Sequence, residues 1–265
     1  MKVKVSALAL VIAFSAVADA NAPGHSYSSG FSIAMKIGQG LFEALPSKFG
    51  DQITADPVTL QAQDIPIITP AMTSDDNKSV RLVAISAGFL DFINHVSHAK
   101  AIDRIQPGFF DSYVQNLGRM NSDQYVAEAP EIIDPRFWTD DVLNDQISYF
   151  SQMVSMLMAI NLSHHYLGHY SKYADRMIGP DNKPVPINQL LSQAEWEVSV
   201  KAGACNSMDC ALATEGLKAL FDAIDKMPRR PPWTAYIVPQ NADLKKLNKQ
   251  LDRYEYDFFH GKLRN

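Results

Sequence analysis

Residues 153–162, Met-Val-Ser-Met-Leu-Met-Ala-Ile-Asn-Leu, form an uninterrupted run without a charge. It is well short of the ~20 apolar residues a membrane span needs. Its methionines, Met153, Met156 and Met158, fit helical packing in a core better than sulfur ligation of a metal. The helix holding this run is predicted to start behind the N-cap cluster Thr139-Asp140-Asp141. It reads as continuing from about residue 142 to about 177, where Gly179-Pro180-Asp181-Asn182 stops it.

Around this helix the pattern is helix-dominated α+β with one small sheet. Residues 80–86, Val-Arg-Leu-Val-Ala-Ile-Ser, are β-rich and alternating, and form the best strand. Helices are expected at 32–45 (ended by Pro46), 88–105, 109–117, 188–204 (capped by Asn188 or Ser192), 209–226 and 244–259. Residues 65–70 read as extended chain. Residues 123–138, with Pro130 and Pro135, read as loop, and 228–232 as a stiff proline linker. Trp138, Trp196 and Trp233 read as core or hinge anchors. The organisation that follows is a leader (1–20), an extended wrapping segment (21–78), a main domain (79–227), and a linker with a C-terminal helix (228–265).

The leader carries Lys2 and Lys4 ahead of an apolar stretch at 5–17 and an Ala18-Asp19-Ala20 cleavage site. This predicts an exported chain, periplasmic or secreted, cut near Ala20 and lacking a transmembrane span once mature. Cys205 and Cys210, the two cysteines, then read as a local disulfide. The net charge of −5, with 24 Lys and Arg residues scattered along the chain, leaves no basic excess for nucleic acid. The sequence contains neither a G-x-S-x-G elbow nor a glycine-rich phosphate loop.

Chemistry concentrates where the apolar run ends, in Ser163-His164-His165-Tyr166-Leu167-Gly168-His169-Tyr170. On a continuous helix His165 and His169 stand one turn apart on one face, within reach of a single metal ion. The outline is that of H-E-x-x-H, with Tyr166 in the glutamate's place. A third ligand has to come from elsewhere, and the next helix offers Glu195 and Glu197. Glu197 lies two residues further along that helix, so it points away and reads as exposed. His164 sits about 100° around the helix from His165, where it can line the pocket. The pair His95 and His98 reads as helix surface or packing. The plain alternative for the His165–His169 pair is hydrogen bonding without metal.

Together these features resemble the gluzincin metallopeptidases of the HtpX and Oma type. The resemblance covers roughly residues 80–220: a strand, a helix, a long apolar helix ending in H-x-x-G-H, and a helix like E-x-x-A-D-x-x-A. It implies a zincin-like domain with Zn2+ held by His165, His169 and Glu195, and Gly168 and Ala202 as the small residues. It also implies that strand 80–86 is an edge that holds an extended peptide or protein partner. Two positions depart from the pattern. Tyr166 replaces the general base, and a phenol, with a pKa near 10, is a poor base at neutral pH. Ser199 stands where an aspartate orients a ligand histidine. The expectation is an exported zinc metallopeptidase-like protein, a hydrolase impaired at Tyr166 or a pseudoenzyme. The alternative is a non-catalytic periplasmic binding or interaction protein with no metal, whose long helix and C-terminal helix supply a partner surface.

Overall fold

The computed structural model describes residues 28–46, 49, 53, 58–61, 65–75, 78–120, 131–180 and 184–263. The leader and its cleavage site lie outside them. In chain order the described elements are α1 (Ser28–Glu43), β1 (Val58–Gln61), β2 (Ile68–Asp75), β3 (Lys78–Ser86), α2 (Ala87–Ile102) and α3 (Phe109–Met120). They continue with α4 (Asp140–Tyr166), α5 (His169–Tyr173), α6 (Gln193–Asp209), α7 (Glu215–Lys226) and α8 (Leu244–Phe259). The class is helix-dominated α+β, as the sequence predicts. No helix among the described residues is long and apolar enough to cross a membrane.

The apolar run sits in α4, where every residue from Met153 to His165 is buried. A helix that is apolar all round must be sheathed on all sides. Helices α1, α2, α6 and α7 pack around α4, and β2 and β3 also lie against it. Met153, Met156 and Met158 have no exposed surface and belong to one continuous hydrophobic core with Phe89, Phe150, Trp196 and Phe221. Each such fully buried side chain contributes about 1.5 to 3 kcal/mol relative to leaving it in water. Some polar groups in the sheath pair across elements: the Ser155 and Ser207 hydroxyls meet at 2.9 Å between α4 and α6. The Gln152 side-chain oxygen accepts from the Gly216 N–H at 2.8 Å, which supplies a cap that Thr214 does not.

The sheet has strand order β1-β3-β2, with β1 parallel and β2 antiparallel to β3. This corrects the expectation that residues 80–86 form an edge. They form a strand, but it is the middle one, with Val83 opposite Val58 on one side and Pro70 on the other. Leu82, Val83, Ala84 and Ile85 are all buried, and a strand covered on both faces belongs inside a sheet. The segment expected to wrap the domain therefore contributes two of the three strands, and through α1 it also places Ala34 and Leu41 in the core. At the end of β3, Ser86 starts α2: its Oγ accepts from the N–H groups of Phe89 and Ile67, both at 2.9 Å.

Downstream, α6 starts behind Ser192 in a full capping box, and α8 has the expected bounds. The proline segment is no free linker. It leads into a 3-10 turn, Pro232–Tyr236, that buries Trp233 against Phe92, with ring centroids 4.7 Å apart. Trp196 is buried too, whereas Trp138 is 48% exposed. His98 is a core histidine: its Nε2–H donates to the Phe137 carbonyl at 2.8 Å, and its ring packs on Trp138. Cys205 is buried in α6 and Cys210 caps that helix; burial pushes the thiol of each up to about 11.

Helices α4 and α6 approach each other closely at Gly203. A Cβ placed on Gly203 would stand 2.6 Å from the Ile160 side chain and 2.8 Å from its backbone nitrogen. Because part of that obstacle is backbone, it cannot swing aside. Gly203→Ala is expected to destabilise the protein by about 1 to 3 kcal/mol in urea unfolding, despite the better helix propensity of alanine. Gly203→Ala as stable as the parent would show that α4 and α6 separate freely.

Candidate functional site

The histidine cluster is arranged by a break in the backbone. Helix α4 ends at Tyr166 and is capped by Leu167; Gly168 then takes a left-handed conformation, φ 78°, and His169 opens the separate short helix α5. The sequence reading carried one helix through to about residue 177, and the structure corrects it. Glycine two residues past a helix end is the common left-handed stop. Once the helix stops there, positions 165 and 169 no longer share a face.

The three imidazoles divide accordingly. His165, buried, turns toward the sheet, where its Nε2–H donates to the Leu82 carbonyl of β3 at 2.8 Å. That bond fixes its tautomer and leaves Nδ1 buried without a hydrogen-bond partner among the described residues. His169 instead meets His164: their Nδ1 atoms are 3.3 Å apart, and the Ser199 hydroxyl of α6 lies 3.2 Å from each. The Ser199 O–H also reaches the Glu195 backbone carbonyl at 3.0 Å. Ser199, expected to stand beside one histidine, thus contacts two, and the partner of His169 is His164 rather than His165.

Glu195 is committed elsewhere. Its carboxylate accepts from Lys172 Nζ at 2.6 Å, from the Tyr173 hydroxyl at 3.0 and 3.2 Å, and from the Ser192 N–H and O–H at 2.8 and 2.7 Å. The Lys172 bond, with help from Ser192 and Tyr173, holds its carboxyl down at about 2. The side chain closes the capping box of α6 and ties it to α5. Glu197 lies on the far side of this arrangement, engaged by Gln193 and Lys246.

Tyr166 does not face the imidazoles as a base would. Its ring stacks on Phe49 at 4.5 Å, and its hydroxyl is buried without a hydrogen-bond partner among the described residues. Burial raises its pKa further above the ordinary phenol value. The structure therefore does not bring His165, His169 and Glu195 together. Among the described residues no three His, Cys, Asp or Glu side chains are placed to hold a metal ion. In this structure His165, His169 and Glu195 are each turned to different partners. No protein-family profile, curated protein or solved structure matches this chain.

The sequence reading gave His164 too small a part, and Gly168 is the signal that would have found it. If the helix is stopped at that glycine, His164 rather than His165 becomes the neighbour of His169. Burial holds His164 down to about 3 and His165 to about 4, each well below 6.5, and His169 is also lowered. The unfolded chain therefore takes up protons near pH 6.5 that the folded chain refuses until far lower pH. With chelator present, stability is expected to be full above about pH 6.5 and to fall steadily toward pH 4. Replacing His164 or His165 with asparagine should flatten that slope in thermal unfolding, whereas an unchanged slope would place the acid-sensitive groups elsewhere.

Proposed function

We propose that this chain is a non-hydrolytic, metallopeptidase-like protein that acts by binding or interaction. The observation that carries the reading is the state of Glu195. Both of its oxygens are taken up by Lys172, Tyr173 and Ser192, so the carboxylate expected to complete the His165–His169 pair is engaged elsewhere. Peptide hydrolysis on zinc needs an open metal position and a base that can take a proton from water near neutral pH. Tyr166, buried against Phe49 with its pKa raised, supplies neither.

The leader-like N-terminus supports an exported site of action, in the periplasm or beyond. An extended peptide or protein remains the partner class the resemblance favours, although β3 cannot receive it by strand addition because β1 and β2 flank it. Strand β2 carries Pro70, a residue that blunts sheet edges against further pairing. Of the two helices offered as partner surface, α4 is largely buried, while α8 keeps Tyr256 and Phe259 at 56% and 73% exposure.

The test is proteolysis by the full chain, on casein and a peptide library with added zinc. No chelator-sensitive cleavage is expected, and none from Tyr166→Glu either, because position 166 faces Phe49. Chelator-sensitive turnover by either protein would overturn the reading.

A further inference from the structure

We propose that His164, His169 and Ser199 form a divalent-metal site, suited to zinc or cobalt, that pins the α4–α5 turn to α6. The three atoms concerned, Nδ1, Nδ1 and Oγ, make a nearly equilateral triangle with edges of 3.3, 3.2 and 3.2 Å. A tetrahedral ion with bonds of about 2.0 to 2.1 Å sets its donor atoms about 3.3 Å apart. The triangle therefore has the dimensions of one face of such a coordination shell.

The donors suit the role chemically. Imidazole nitrogen favours zinc, cobalt, nickel and copper. With the Ser199 proton directed to the Glu195 carbonyl, the Oγ lone pairs are free to face the imidazoles. His164 and Ser199 are fully buried, and His169 is 8% exposed, so an ion would enter from the His169 side. This ligand set differs from the H-x-x-x-H arrangement and uses neither His165 nor Glu195. It stands whether or not the chain cleaves peptides.

The same geometry sets an upper bound on affinity. The third corner is a neutral hydroxyl, and His164 Nε2 is buried without a partner to orient it. Ligand histidines usually donate their second N–H to such a partner. The site should therefore be weaker than a three-histidine centre and is best filled by added metal.

Cobalt titration of the full chain, purified without a histidine tag, is the test. One Co2+ per chain should bind with the visible absorption of a tetrahedral ion, and Zn2+ should displace it. His164→Asn and Ser199→Ala should each weaken binding by about 100-fold or more, while His165→Asn and Glu195→Gln stay within about threefold. Ser199→Cys, which replaces the hydroxyl with a softer thiolate, should tighten binding by roughly tenfold and add a sulfur-to-cobalt charge-transfer band. Circular dichroism checks that each variant is folded, and the small Ser199→Ala and Ser199→Cys changes carry the test if His164→Asn unfolds. No cobalt spectrum, meaning a hydrogen-bonded cluster only, would overturn the proposal. So would binding that depends on His165 or Glu195 but not on Ser199.

Discussion

Everything in this fold is arranged around the need to keep the middle of α4 dry. From Met153 to His165 every residue of that helix is buried. A single amphipathic contact leaves the opposite face of a helix wet, so α4 requires neighbours around its whole circumference. Helices α1, α2, α6 and α7 and the small sheet supply them. Gly203 lets α6 come close enough for its backbone to touch Ile160. The sheath also explains the polar contents of the helix, since each of Ser155, Asn161 and Ser163 is matched by a hydroxyl or a carbonyl nearby.

The histidine cluster follows from where that helix is allowed to stop. Gly168 adopts a conformation that costs other residues about 1 to 2 kcal/mol. The turn it makes sends His165 to the sheet and His169 to α6. The cluster is held from both sides: Leu82 anchors one imidazole, and Ser199 lies between the other two. Glu195 contributes through its main chain, whose carbonyl is within reach of the Ser199 hydroxyl, while its side chain joins α5 to the start of α6. A residue type that suggests acid–base chemistry here does architectural work.

Much of this was legible in the residues, and the failures have physical causes. The cap at Thr139, the stop at Pro46 and the period of α8 are local signals that placed those elements to within a few residues, whereas the helix expected at 188–204 behind Asn188 or Ser192 starts behind Ser192 and runs over Gln193–Asp209. The middle position of β3 was less visible. Leu-Val-Ala-Ile is as compatible with a covered edge as with a centre, and the deciding partners, β1 and β2, come from proline-rich chain with weak periodicity. At the site, the residue types were read correctly and their spatial grouping was not. Spacing of four implies a shared face only while the helix persists, and the glycine between the histidines ends it. The ties of Glu195 to Lys172 and Tyr173 span more than twenty residues, so no local pattern announces them.

One contact links an early element of the core to a late one. The Asn206 side-chain amide donates to the Leu41 carbonyl at 3.2 Å across 165 residues of sequence, seating α1 beside α6. During vectorial synthesis α1 emerges early, whereas α4, against which it mainly packs, and α6 are made far later. The apolar side of α1, including Ala34 and Leu41, must stay unsatisfied or be shielded over that interval.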